Sequence, residues 1–544
     1  MRVRDTAAGV FGLLREEYAK DMTTRSRRSR RETERSRREA ERKYDASSVD
    51  DTSWFPRLTR VNGIASVAEQ GVDELDAVYY DTDDLRLAGA SATLRRRTGG
   101  ADAGWHLKLP LSGDSREEIR APLSDTVPDT LRELVLSRSR GAELTPVVRI
   151  RSTRRTWHLV DSDGTVRAEL TLDRVRAESL RAMTTLAAWT EMEVELAEDA
   201  DPGLLDKVEK SLRKNGVARA DHPSKLVRAL DATGLGAPRL PDARAENVVP
   251  GSVGDHLLTY LDEQIRALVH LDPAVRRDRP DSVHKMRVAC RRLRSTLRSY
   301  RSVLDREATD PIRADLKWLG GELGAERDQE VLMERLGARV AAEPPELVLG
   351  PVAARLKAWN VANASEARRR TLEALGSPRC LSLLDSLAAL TERPPLRRKA
   401  ARKPKKVMVK AILKEYDRLA ERTAHALELA PGTERDTALH EARKSAKKTR
   451  YATEPARASL GKPAKRFGKR VKAVQKVLGD HQDSVVARRA LRELALAAHA
   501  AGEPGFTWGL LYGTEQALAA ERERELPSAW AEASEPRLRK TLAR

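Results

Sequence analysis

Between Glu39 and Leu196 the chain alternates apolar and charged side chains over short runs separated by turn residues. Side chains two apart on a strand share a face, so these runs read as strands of an antiparallel sheet or barrel. One parity is apolar: Leu107 and Leu109, Val148 and Ile150, Leu170 and Leu172, then Met192, Val194 and Leu196. The other carries charge almost throughout. It holds Glu39, Glu41 and Lys43, then Arg95, Arg97, His106, Lys108, Glu118, Arg120, Arg149 and Arg151, and finally Glu169, Asp173, Glu191, Glu193 and Glu195. For one isolated strand such as Glu39 to Tyr44, a solvated face is the simpler reading. Here the signs are sorted from strand to strand, with acids on the first and last runs and bases on the middle ones. A closed sheet turns such a face inward, where like charges carry a large desolvation and repulsion cost unless counter-ions fill the space. Carboxylate oxygens suit Mg²⁺ or Mn²⁺, while Arg forks and Lys point charges suit phosphate oxygens.

A chain of 544 residues is too long for one core and implies several domains. Lys and Arg total 101 against 82 Asp and Glu, a formal charge of +19 that favours a polyanionic partner or substrate. Cys290 and Cys380 lie far apart and make neither a disulfide framework nor a zinc pattern, so a reducing, cytoplasmic home is expected. No apolar run approaches the roughly 20 residues that span a bilayer. From Thr23 to Arg38 the chain is almost wholly Arg, Ser and Glu, and no apolar segment follows its arginine pairs. That argues against a twin-arginine signal and for a basic arm, flexible or helical, over residues 1–36.

After a helix opened by Asp201-Pro202 and ending near Gly216, residues 233–254 read as a Gly-, Pro- and Ala-rich linker. The remainder changes to helical periodicity. Val283, Met286, Cys290, Leu293, Leu297, Tyr300 and Leu304 recur at three and four residues, marking a core-facing seam. One position on, His284, Arg287, Arg291, Arg294, Arg298 and Arg301 recur at the same spacing, with Lys285 beside them. A solvated basic face beside a seam is common, but this one has an internal echo. His440, Arg443, Lys447 and Arg450, flanked by Lys444 and Lys448, repeat the spacing, and each set is followed by Leu-Gly-x-x-x-Asp, at Leu323 to Asp328 and at Leu478 to Asp483. The echo predicts two duplicated helical bundles about 155 residues apart, joined near Arg393 to Lys406.

Two family resemblances follow from these motifs. Glu39-x-Glu41-x-Lys43, Thr93 to Thr98, Trp105 to Leu109, Val148 to Arg151, Leu170 to Asp173, Glu191 to Glu195 and Ser224-Lys225 together resemble the CYTH family over residues 37–232. That resemblance implies an eight-stranded antiparallel tunnel acting as a triphosphate hydrolase, a thiamine triphosphatase or a class IV adenylyl cyclase. It also implies Glu39, Glu41, Asp173, Glu193 and Glu195 as ligands of Mg²⁺ or Mn²⁺, and Lys43, Arg95, Arg97, Lys108, Arg120, Arg149, Arg151 and Lys225 as the grip on triphosphate. His284-Lys-Met-Arg287 and His440-Glu-Ala-Arg443 resemble the two histidine motifs of the CHAD family. It implies an all-α domain over 255–535, with halves at about 255–392 and 407–535, that binds inorganic polyphosphate through His284, Lys285, Arg287, Arg291, Arg294, Arg298, His440, Arg443, Lys444, Lys447 and Arg450. Glu441 stands where Lys285 stands in the first half, so the halves need not contribute equally.

The expected architecture is therefore an α+β multidomain chain, a β-barrel with flanking helices followed by a helical domain. Nucleic acid is the rival partner for the basic surface. Aromatics make up only 4% of the chain and none interleaves the basic stripes as a base-stacking platform would, which favours polyphosphate. A second His or Cys one turn from His284 or His440 is missing, which argues against metal there. Three activities stay open at this point: metal-dependent triphosphate hydrolysis, adenylyl cyclisation, and polyphosphate binding by a scaffold without catalysis.

Overall fold

The alternating runs fold as one antiparallel sheet in the computed structural model, which describes residues 35–47, 52, 55–111, 113–181, 185–236 and 247–543. The basic arm expected over 1–36 lies outside the described residues except for Arg35 and Ser36, and so does the middle of the expected linker at 233–254. The chain divides into two compact units, residues 1–243 and 244–544.

The first unit holds strands β1 (Arg35–Asp45), β2 (Ser66–Asp81), β3 (Thr93–Thr98), β4 (Gly104–Pro110), β5 (Ser115–Ala121), β6 (Thr145–Val160), β7 (Val166–Ser179), β8 (Leu186–Leu196) and the two-residue β9 (Ala218–Arg219). Their order is β5-β4-β3-β2-β6-β7-β8-β1-β9, and an additional pairing of β5 with β1 closes eight of them into a barrel. β1 makes that closure in two halves. Arg35 to Ala40 pair with β5, whereas Glu41 to Asp45 pair with β8.

Outside the barrel the apolar parity packs under helices. Leu94, Trp105, Leu107 and Ile119 meet Leu131, Leu134 and Val135 of α1 (Asp129–Ser139). Tyr44, Leu159, Leu170, Met192 and Val194 meet Leu205, Val208 and Leu212 of α2 (Gly203–Lys214). One end of the barrel differs. There Ala77, Tyr79, Val148, Ile150, Val175 and Ala177 pack with Leu226, Ala229 and Leu230 of α3 (Lys225–Ala232). Burying each of those leucines is worth about 1.5–3 kcal/mol, which holds α3 in place.

The second unit consists of helices α4 (Val253–Arg276), α5 (Ser282–Ser299), α6 (Arg306–Ala342), α7 (Val352–Gly376), α8 (Pro378–Glu392), α9 (Pro404–Glu428), α10 (Thr433–Thr453), α11 (Lys462–Ala500) and α12 (Phe506–Ser534), with short helical turns and a last helix between and after them. The seam on α5 is buried as its spacing requires: Val283, Met286, Cys290, Leu293 and Leu297 join one core with α4, α6 and α8. The two repeats also share cores. Tyr300 and Val303 pack with Met408, Tyr416 and Phe467, and Leu332 and Leu336 pack with Leu491, Leu494 and Trp508. The fully buried Tyr300 hydroxyl donates to the Ala452 carbonyl at 2.6 Å, tying the end of α5 to α10. None of the helices among the described residues is long and apolar enough to cross a membrane.

Candidate functional site

The barrel encloses a cavity of about 340 Å³ whose wall is almost wholly ionic. β1 sends Glu39, Glu41 and Lys43 into it because those residues share one pleat face, while Tyr44 on the other face is fully buried in the outer core. β8 adds Glu193 and Glu195, β3 adds Arg95 and Arg97, β4 adds Lys108, and β5 adds Glu118 and Arg120. Lys225 arrives differently. Ser224 caps α3 by accepting from the Val227 amide at 3.2 Å, which sets Lys225 at the first helical position with its ammonium in the barrel.

Five carboxylates expected as one ligand set fall into two groups. Glu39, Glu41 and Glu195 each bring an oxygen within 4.8 Å of the others. Asp173 and Glu193 instead hold cations: Arg154 forks onto both oxygens of Asp173 at 2.8 Å, and Lys225 lies 2.9 Å from Asp173 and 2.7 Å from Glu193. Lys43 bridges Glu41 and Glu193. Lys108 Nζ lies 2.6 Å from Glu39 Oε2, but Oε2 receives no aligned hydrogen bond despite its burial. A buried carboxylate oxygen so placed, beside two more carboxylates, fits a hard divalent cation. The donor set is all oxygen, which suits Mg²⁺ or Mn²⁺.

Arg149 and Arg151 correct the sequence expectation. They project from the outer face of β6, where Arg149 donates to Asp76 and Arg151 lies 3.5 Å from Asp76 and 3.8 Å from Glu178. The physical reason is the closed end of the barrel. Val148 and Ile150 face inward onto α3, and β6 runs without a register shift from Val148 to Arg154, so their parity carries Arg154 into the cavity. The same correction applies to Val148 and Ile150, expected on the outer apolar face. Sequence reading also missed Arg116, Asp102 and Tyr79 on the cavity wall. For Arg154 a signal existed: Trp157 and Leu159 have the opposite parity to Val148 and Ile150, which marks a change of apolar side along the strand.

Burial and neighbouring charge spread the acidities. Burial raises Glu195 to about 7, helped by the negative charge of Glu39. Glu39 is raised too, again chiefly by burial. Burial pushes Glu41 the same way, but Lys108 and Lys43 outweigh it and hold the group at about 2. Burial and the cations Arg95 and Arg154 depress Arg97 to about 9. His106 is buried, faces Glu118 at 2.9 Å, and is lowered to about 4, mainly by desolvation.

The helical unit brings the two basic stripes together. Arg287 on α5 lies against Gly324 of α6 and forks onto Asp328 at 2.6 and 3.2 Å. Arg443 on α10 lies against Gly479 of α11 and points at Asp483 at 3.7 Å. The Leu-Gly-x-x-x-Asp echo is therefore one packing device used twice: glycine admits the guanidinium and the aspartate holds it. Lys447 is lowered to about 7 by burial, then by Arg443, Arg291 and Arg287, so cations from both repeats act on one ammonium. Lys448 is lowered to about 8 by burial and by Arg298 and Arg422. His284 is half-buried near Arg327 and Arg291, and His440 is half-buried near Lys444, each lowered first by desolvation. Arg294 and Arg298 continue the stripe on α5, and Arg450 stacks on Tyr451 at 4.4 Å. Lys285 lies 3.6 Å from Asp281, and Lys444 is tied to Glu441 at 2.6 Å, as Arg422 is at 3.1 Å.

Comparison with known proteins agrees with this anatomy. The profile of the CYTH domain matches residues 37–230, and that of the CHAD domain matches residues 259–492. The uncharacterized protein MT2285 of Mycobacterium tuberculosis is 38% identical over 505 residues, covering 90% of this chain and 95% of its own. Among solved structures, PptA from Streptomyces chartreusis matches at 24% identity and a TM-score of 0.44, over 52% of this chain and 99% of its own. The CHAD domain from the plant Ricinus communis matches at 26% identity and a TM-score of 0.42, over 54% of this chain and 96% of its own. The chain belongs to the proteins that join a CYTH domain to a CHAD domain.

Proposed function

We propose that the barrel hydrolyses a triphosphate with a bound divalent metal, and that the helical unit holds inorganic polyphosphate along the α5 and α10 stripe. One observation carries the first half: three carboxylates converge within 4.8 Å on the wall of a cavity otherwise rich in cations. Glu39, Glu41 and Glu195 would hold Mg²⁺ or Mn²⁺, which when bound polarises phosphoryl oxygens and neutralises charge developing on them. Arg95, Arg97, Arg154, Lys108 and Lys225 would take the phosphate oxygens, with Lys43, Arg116 and Arg120 at the same wall. Asp173 does not touch phosphate in this reading. It is fully buried and fixes the fork of Arg154.

In the absence of substrate each ammonium already faces a carboxylate. Phosphate oxygens entering the barrel therefore compete with these carboxylates, and a bound metal would neutralise Glu39 and Glu41 once Lys108 turns to phosphate. Tyr79 is the one aromatic side chain among the described residues lining the cavity, so a stacking pocket for adenine is lacking there. That favours an inorganic or small organic triphosphate over the cyclase reading. The domain limits that go with this function are 37–232 and 255–535. The test is phosphate release from tripolyphosphate, thiamine triphosphate and ATP, side by side, with Mg²⁺ and with Mn²⁺. Release from none of them under either metal would leave polyphosphate binding without catalysis as the function.

A further inference from the structure

Three helices of the second repeat meet at a cluster that neither the barrel chemistry nor the basic stripe uses. Asp436 stands in the first turn of α10, His481 lies on α11 and Glu523 on α12. His481 is only 2% exposed, and its Nε2 lies 3.3 Å from Asp436 Oδ1 and 3.3 Å from Glu523 Oε1. The three candidate ligand atoms all fall within 4.8 Å of one another. An imidazole Nε2 carries at most one hydrogen, so it can serve both carboxylates only through a weak three-centre bond. Both separations also sit at the long limit for a hydrogen bond. They do match the edge of a tetrahedron: ligands about 2.0 Å from a central ion stand roughly 3.3 Å apart.

The remaining carboxylate oxygens are oriented from behind. Arg488 lies 3.0 Å from Asp436 Oδ2, and Arg435 lies 3.1 Å from Glu523 Oε2. Each acid thus spends one oxygen on a guanidinium and turns the other toward His481, as outer partners of metal ligands do. The first repeat supplies an internal contrast. The separation of about 155 residues that relates Leu323 to Leu478 also relates Glu326 to His481 and Arg368 to Glu523. In the first repeat Arg368 lies 3.3 Å from Glu326, and its other amine donates to the carbonyls of Val275 and Arg276. That position is filled by a fixed cation in one repeat and lined by imidazole and carboxylates in the other.

We propose that Asp436, His481 and Glu523 bind one divalent transition metal of the Zn²⁺ class, fastening the first turn of α10 to α11 and α12. One nitrogen and two carboxylate ligands suit Zn²⁺ better than Mg²⁺, which prefers an octahedral oxygen shell and keeps its waters.

The experiment uses the full chain carrying Glu39→Gln and Glu41→Gln, so that barrel carboxylates do not contribute. After stripping with chelator, the protein is dialysed against Zn²⁺ in phosphate-free buffer, and bound metal and melting temperature are measured. One tightly held Zn²⁺ per chain and a raised melting temperature are expected. Adding His481→Asn or Glu523→Gln should weaken Zn²⁺ affinity by about tenfold or more and remove the melting shift. Co²⁺ in place of Zn²⁺ should give the strong visible absorption of a tetrahedral site in the background protein only. If His481→Asn does not fold, Glu523→Gln and Asp436→Asn decide the matter. Zn²⁺ retained at background affinity by the folded variants overturns the assignment, as does the absence of tight Zn²⁺ in the background protein.

Discussion

Arg154 and Asp173 face each other across β6 and β7 and close a two-pronged ion pair, both contacts at 2.8 Å, with Asp173 fully buried. Such a fork aims the guanidinium as well as neutralising it. Arg154→Ala should therefore raise KM for tripolyphosphate by about tenfold or more, and leaving Asp173 with Lys225 alone should also cost stability, by about 1–3 kcal/mol. Arg149→Ala and Arg151→Ala, on the outer face, should change KM less than about twofold, as exposed ion pairs contribute little. Steady-state kinetics on the three variants check this; equal losses would put β6 the other way round.

Replacing Glu39, Glu41 or Glu195 by Gln keeps shape and removes a metal-binding charge. Each change should abolish metal-dependent phosphate release, a loss of about 100-fold or more, while circular dichroism stays that of the parent. Unchanged release in any of the three removes that residue from the ligand set.

The contrast between these residues shows what sequence could give. Glu39, Glu41, Lys43, Arg95, Arg97 and Lys108 were legible because one period-2 rule places them, and apolar residues of the opposite parity, such as Tyr44, Leu94, Leu107 and Leu109, mark the outer face of the same strands. On β6 the rule held but its orientation did not: inward residues are apolar under α3 and cationic further along, so apolar no longer means outward. The helical seam and stripe were legible for the simpler reason that a helix buries one face along its whole length. The glycine-guanidinium-aspartate device was visible only as a repeated motif, since its purpose depends on which helix lies opposite.

Reversing Arg287 and Arg294, or Arg443 and Lys447, to Glu should weaken binding of long-chain polyphosphate by more than tenfold. Reversing two arginines within Thr23 to Arg38 changes net charge equally but leaves the stripe intact, and should cost about threefold or less at 0.15 M salt. Titration by anisotropy of labelled polyphosphate, repeated at rising salt, measures both; equal losses would mean that net charge alone is responsible.

Lys447 gives the stripe a pH dependence. Held at about 7 when unliganded, it is largely neutral at pH 8, and a polyanion must recruit a proton to it. Affinity for polyphosphate should fall as pH rises from 6 to 9, binding should take up protons near pH 8, and Lys447→Arg should flatten the profile. Stability runs the other way. The unfolded chain binds this proton up to about 10.5, so Lys447 makes the fold more stable as pH rises from 7 toward that value. Calorimetry in buffers of different ionisation enthalpy reads the proton uptake.

A fragment from Gly251 to Arg544 should fold alone, since among the described residues the helical cores draw on Val253 onward. It should melt cooperatively, bind polyphosphate and release no phosphate from it. A molten fragment would show that the helical unit depends on the rest of the chain.

The divided pairing of β1 carries a consequence for how the barrel comes into being. The strand is the earliest of the described ones to be synthesised, yet Glu41 to Asp45 must wait for Glu191 to Glu195. Until then Glu41 to Asp45 and the side of β7 that receives β8 stay unpaired, the kind of edge on which chains aggregate. The same strand supplies Glu39 and Glu41, two of the three converging carboxylates. Sealing the wall and completing the acidic cluster are consequently one event. A barrel that failed to close would lack its full acidic cluster as well as its seal.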